Sequence, residues 1–124
     1  HARPAEMLRL VHAPTPPDLR RVSIWGVDRE LGAYLERRLR TRWPHVIVQH
    51  VTSAQAHDPR PADLWICGLE PPEPPPVPTL WLGEIDRSAS VVRIGQRLWK
   101  CSMPITGRQL EHRIQRLWRE SERR

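Results

Sequence analysis

Few residues of this 124-residue sequence have the types and spacing that chemistry requires. His45, His50 and His57 lie close together along the chain, but no cysteine or carboxylate cluster completes a metal site around them. Ser88 and His112 belong to no nucleophile motif, and no glycine-rich phosphate-binding loop is present. Because no set of acid, base, nucleophile and metal ligand can be assembled, we expect neither enzymatic activity nor a cofactor or metal.

The most informative stretch is the run over residues 63–70, which predicts a buried strand. Asp63 leads into four apolar residues, and Gly68 and Leu69 close the run. An apolar run without polar alternation is typical of a central strand in a parallel sheet. In such sheets chemistry takes place just past the carboxyl ends of the strands, and here that position holds Gly68, which has no side chain. We interpret this as a fold whose catalytic pocket has lost its catalytic side chains.

Further apolar runs predict the other elements that surround this strand. We expect strands over residues 21–27, 46–51, 79–83 and 97–101, in addition to 63–70. Asp28 is suited to cap a helix that ends at Trp43, and the Thr106–Gln109 capping box predicts the start of a last helix. Alternating strands and helices of this kind indicate an α/β fold with a parallel sheet.

The segments between these elements are weaker. We expect only one helical turn over residues 52–56 and at most a short helix over 86–92. Proline is too dense over residues 70–78 for any helix, so this segment is either a stiff connector, which we favour, or a polyproline ligand for an aromatic groove. The prolines before residue 20 indicate that residues 1–20 are a linker or the end of an upstream domain, followed by a domain over 21–120.

Three stretches of the chain resemble the CheY-like receiver domains found in hybrid sensor histidine kinases. Residues 18–25 are similar to the start of such a domain, and residues 63–69 to its third strand, which ends on the phospho-accepting aspartate. Residues 103–105, followed by Leu110 and Ile114, resemble its Lys-Pro turn and last helix. The resemblance implies a five-stranded parallel sheet in the flavodoxin-like order 2-1-3-4-5. Helices 1 and 5 would cover one face, with helices 2–4 shortened or replaced by the proline-rich loop.

The departures from the receiver pattern fall on the phosphorylation pocket. Gly26 and Val27 stand where the family has its acidic metal-binding pair, and Gly68 stands in place of the phospho-acceptor. Gly83 falls near the family's Ser/Thr, and Met103 replaces its lysine. Phosphoryl transfer to aspartate requires a carboxylate, oxygen ligands for the metal and a cation. The resemblance therefore implies a pseudo-receiver with a degenerate pocket.

Asp28 lies one or two residues beyond the matched acidic pair. It could be a metal ligand, but its position before a helix favours the capping role.

The shortened helices would leave one face of the sheet thinly covered. Trp25, Trp65, Trp81 and Trp99 all fall in predicted strands, and they either fill this layer as core, which we favour, or form an apolar docking face. The candidate interaction face consists of Trp99, Leu110, Ile114 and Trp118.

The resemblance implies a non-phosphorylatable regulatory module of a sensor histidine kinase in two-component signal transduction, which acts on other domains of the kinase or on a partner signalling protein. The alternatives are a dimerising regulatory domain of a response-regulator-type transcription factor and nucleic-acid binding through arginine. A net charge of +6 is the reason to consider nucleic-acid binding. We favour arginines on solvated helix faces, because no helix-turn-helix and no aromatic-interleaved basic patch is visible.

The sequence also bears on the compartment. Cys67 and Cys101 fall in apolar runs, where we expect small buried core residues rather than a disulfide. No apolar run approaches the ~20 residues that a membrane helix needs. We expect a cytoplasmic domain without direct membrane contact, either free or as the cytoplasmic part of a membrane-anchored kinase.

Overall fold

A six-stranded, mostly parallel sheet with two helices on one face forms the described part of the chain. The computed structural model describes residue 16 and residues 18–51, 61–72, 74–83 and 91–122. The strands are β1 (Arg21–Trp25), β2 (Ile47–His50), β3 (Leu64–Cys67), β4 (Thr79–Leu82), β5 (Val91–Gly95) and β6 (Leu98–Cys101). The helices are α1 (Arg29–Arg42) and α2 (Gly107–Glu122). The α/β class predicted from the sequence is confirmed.

The strand order differs from the expected 2-1-3-4-5. The sheet runs β2-β1-β3-β4-β6-β5, with β5 antiparallel to β6 and every other neighbouring pair parallel. The prediction of five parallel strands is therefore wrong in count and order, because residues 91–95 form an edge strand. This segment contains three β-branched residues, and the turn at Gln96 and Arg97 folds it back onto β6.

Local side-chain hydrogen bonds fix where the helices begin. The Asp28 carboxylate accepts a hydrogen bond of 2.7 Å from the Leu31 N–H, so the predicted cap of α1 is confirmed. The capping box before α2 is also present: the Thr106 N–H donates to Gln109 Oε1 at 2.9 Å, and the Gln109 N–H donates to Thr106 Oγ1 at 3.1 Å.

The main core lies between the sheet and the two helices. Alternate strand residues, such as Val22 and Ile24 of β1, point towards the helices. Leu35 and Leu39 of α1 pack in the same core. The other main contributors are Leu64, Ile66, Leu80, Leu82, Trp99, Leu110, Ile114, Leu117 and Trp118. Both helices therefore bury their apolar stripes against the same face of the sheet.

The opposite face of the sheet carries a second, smaller cluster. Trp25 and Trp65 meet edge to face with ring centroids 5.6 Å apart, and Cys67 lies beside them. Val77, from the proline-rich segment, packs against this cluster, and Trp81 is partly buried there. Trp25 and Trp65 are thus core residues, as we favoured, whereas Trp99 belongs to the helix-covered face.

Buried residues continue upstream of the predicted domain start. Leu19 is 3% exposed and packs in the main core. Asp63 accepts hydrogen bonds of 2.9 Å from the backbone N–H groups of both Arg20 and Arg21, which ties the start of β1 to the segment before β3. Residues 1–15 and 17 of the predicted linker, the helical turn predicted over 52–56 and residues 86–90 of the predicted short helix lie outside the described residues.

Neither α1 nor α2, the two helices described, is long and apolar enough to cross a membrane.

Candidate functional site

Glycine follows three of the four central parallel strands at the carboxyl edge of the sheet. Gly26 comes directly after β1, Gly68 after β3 and Gly83 after β4. The strand order changes direction between β1 and β3, and ligands of open α/β sheets bind in the crevice at such a point. Gly26 and Gly68, two residues of the predicted degenerate pocket, border this crevice.

The loops after β1 and β3 lie directly against each other. Gly26 has φ +68°, in the left-handed region that favours glycine, and this turns the chain out of β1. A Cβ at Gly68 would lie 2.5 Å from the Gly26 carbonyl oxygen and 2.9 Å from Val27 Cγ1. The Gly68 N–H also donates a hydrogen bond of 3.2 Å to the Trp25 carbonyl oxygen. Backbone contact therefore closes the crevice at the position where a side chain would otherwise project.

The other predicted pocket residues bring no polar side chain to that contact. Val27 is 4% exposed and belongs to the main core. The Gly83 N–H donates 2.9 Å to the Cys101 carbonyl oxygen, which extends the pairing of β4 with β6. Met103 is exposed and precedes a cis peptide bond to Pro104.

The acidic side chain that follows β1 at this edge, Asp28, already has a structural partner. Asp28 caps α1, so its carboxylate is occupied by the helix that follows it. Across the described segments, no three His, Cys, Asp or Glu side chains are grouped so that they could hold a metal ion.

The four residues of the predicted interaction face lie inside the core. Trp99 is 4% exposed and Trp118 8%, while Leu110 and Ile114 are fully buried. These side chains support the surface formed by β5, β6 and α2 but do not make up that surface. Helical periodicity identified an apolar stripe, yet it does not tell whether the stripe faces the same chain or a partner.

Both cysteines are buried and have raised pKa values. Burial raises the pKa of the Cys67 thiol from 9.0 to about 12. Burial also raises the pKa of Cys101, against the opposing effect of the positive charge on Arg113. The two thiols are free of disulfide bonds and are poor nucleophiles in this environment.

The only lysine of the sequence occupies a position that the sequence analysis did not single out. Lys100 Nζ lies 4.2 Å from the centroid of the Trp81 ring, on the sheet face opposite the helices. The Cε atom of Lys100 also borders Gly83. Alternation along β4 and β6 would have placed Trp81 and Lys100 on one face, but only the parallel pairing of these strands brings them together.

Comparisons of the chain with protein-family models, with curated proteins and with solved structures find no match.

Proposed function

We propose that this chain is a non-catalytic regulatory domain that acts by protein contact, as a pseudo-receiver within a hybrid sensor histidine kinase. The observation that carries the proposal is the contact between Gly68 and Gly26, which fills the crevice at the switch point with backbone atoms. A phosphorylation pocket requires a carboxylate at this point with room for a metal and a phosphoryl group.

A partner would contact exposed residues, because the four residues of the predicted interaction face are buried. On the outer strand β5, Val92 is 37% exposed and Ile94 45%, and Met103 is exposed after β6. An edge strand with exposed apolar side chains suits pairing with another protein.

The test removes residues 21–120 from the natural protein and measures autophosphorylation, phosphotransfer and signal response. The proposal expects autophosphorylation to persist while phosphotransfer or signal response changes, since the domain would position other domains without doing chemistry. A protein that keeps all three activities unchanged, or that has no kinase activity before the deletion, would contradict the proposal.

The exposed edge of β5 favours one alternative, a regulatory domain that dimerises. Two copies could pair their β5 strands about a two-fold axis and so cover Val92 and Ile94. This alternative expects a concentration-dependent dimer in sedimentation velocity that Ile94→Lys converts to monomer. A wild-type chain that stays monomeric at all concentrations would exclude it.

A further inference from the structure

A cleft lies between the β5–β6 hairpin and the later turns of α2. It encloses about 350 Å³, which is within the range of small-molecule pockets, roughly 300–1,000 Å³. Val91, Trp99 and Leu117 provide its apolar lining. The cleft is separate from the closed crevice at Gly26 and Gly68, because its lining residues come from other strands and from α2.

Two backbone carbonyl groups and an indole ring hold Arg93 at this cleft. Its Nε donates 3.1 Å to the Gly95 carbonyl oxygen, and its Nη2 donates 2.7 Å to the Gln96 carbonyl oxygen. Its guanidinium carbon lies 4.9 Å from the centroid of the Trp99 ring. The turn and the indole therefore fix this positive charge in place before any ligand arrives, which lowers the entropic cost of binding.

Two further arginines from α2 line the same cleft. Arg113 Nε is buried and makes no hydrogen bond within the described part of the chain. Because this Nε is closed to solvent, a ligand oxygen in the cleft would accept hydrogen bonds from the terminal guanidinium nitrogens of Arg113 instead. Arg116 donates from Nε to Glu120 at 3.1 Å, and its side chain is otherwise well exposed.

Among the described residues that line the cleft, Glu120 is the one with a carboxylate. One of its oxygens accepts from Arg116, and the other accepts from the Trp99 indole N–H at 3.0 Å. Burial acts to raise the pKa of Glu120, but hydrogen bonds from Trp99 and Arg116 and the charges of Arg116 and Arg93 outweigh it and leave the pKa below its ordinary value. Glu120 is therefore ionised at neutral pH, and three arginines against one glutamate leave the lining with a net charge of +2.

We propose that this cleft binds an organic anion, a phosphate or carboxylate group carried on a small apolar body. The anionic oxygens would accept hydrogen bonds from Arg93, Arg113 and Arg116, because guanidinium groups match the geometry of both acids. The apolar body would lie against Trp99 and Leu117. This binding site goes beyond the proposed regulatory role and does not depend on it.

The test is isothermal titration at low ionic strength with phenyl phosphate, benzoate and inorganic phosphate as probes. We expect saturable binding of phenyl phosphate or benzoate, with inorganic phosphate weaker because it lacks the apolar body. Arg113→Met keeps the apolar stem and removes the charge, and it should weaken binding about tenfold or more. Arg93→Met, at the exposed rim, should also weaken binding, and it replaces Arg113→Met as the test if that variant does not fold. Glu120→Gln keeps the acceptor for Trp99 and should tighten binding several-fold.

The matched control is Arg119→Gln, an exposed arginine on the same helix that does not line the cleft. It should change affinity less than twofold, and the Trp99 indole N–H resonance should shift on titration in wild type. Three results would overturn the proposal: no saturable binding to wild type, an equal loss of affinity in Arg119→Gln and Arg113→Met, or inorganic phosphate binding as tightly as phenyl phosphate.

Discussion

A hydrogen atom in place of a side chain at Gly68 lets the loop after β3 lie against the Gly26 carbonyl oxygen. At Gly26 the requirement is different, because its φ of +68° is a conformation that side chains disfavour. The two glycines therefore close the crevice by two separate physical effects, close approach and backbone conformation.

The close approach at Gly68 predicts a loss of stability when a methyl group is added. Gly68→Ala would place Cβ against the backbone of Gly26, and we expect the free energy of unfolding to fall by about 1–3 kcal/mol in urea denaturation. Gly83→Ala is the control, since its Cβ would meet the flexible end of Lys100 at 3.3 Å, and it should cost less. An equal effect of the two substitutions would contradict the closed crevice.

The buried thiol of Cys67 predicts a loss of stability at alkaline pH. Its pKa is about 12 in the folded chain against an ordinary 9.0, so above pH 9 the unfolded chain releases a proton that the folded chain retains. Stability should therefore be fully present below pH 9 and decline between pH 9 and 12, by at most about 1.4 kcal/mol per pH unit from this group. Cys67→Ala should show a shallower decline in the same denaturation series. Parallel pH profiles for the two proteins would contradict this account.

Among the elements, α1 and α2 are joined by an ion pair that local sequence does not reveal. Glu111 of α2 is 1% exposed, and one of its oxygens lies 2.7 Å from Arg38 Nη2 and 3.8 Å from Arg42 Nε. The Arg38 Nε also donates 2.9 Å to the same carboxylate oxygen. One buried carboxylate thus holds two arginines from the other helix.

This arrangement predicts that Glu111 contributes far more to stability than an exposed glutamate does. Glu111→Gln should lower the free energy of unfolding by about 2–3 kcal/mol, because it leaves two arginines at the interface without a counter-charge. Glu36→Gln is the matched control: Glu36 pairs with Arg40 at 2.8 Å on the surface of α1 and should contribute no more than about 0.5 kcal/mol. Thermal or chemical unfolding that ranks the two variants equally would rule out this role for Glu111.

The sequence predicted most elements because apolar runs and caps are local signals. Asp28, Thr106 and Gln109 act where their types indicated, since each bonds to backbone within three residues. The edge strand β5 was missed because Val91 and Val92 were assigned to the end of a short helix and Ile94 to no element. The pairing of Arg38 with Glu111 spans 73 positions, and no local pattern carries such information.

At the scale of the whole molecule, the two faces of the sheet differ. Both helices cover one face, whereas Trp25, Trp65 and Cys67 cluster on the other, with Val77 of the proline-rich segment packed against them. Gly68 was identified in the sequence by its position at the end of a strand, and Gly26 by the resemblance to receiver domains. Their mutual contact depends on β1 and β3 being neighbours, which the resemblance implied and the sheet order shows. The cleft at Arg93, Arg113 and Arg116 depends on the antiparallel strand β5 and could not be predicted without it.

The measurement that tests the central claim most directly is phosphorylation of the chain by acetyl phosphate with and without Mg²⁺, followed by intact mass. A phosphorylatable receiver domain treated in parallel serves as the positive control. If the domain is regulatory and its crevice is closed, we expect no Mg²⁺-dependent gain of a phosphoryl group. Stoichiometric, Mg²⁺-dependent formation of an acyl phosphate on a carboxylate of this chain would contradict it.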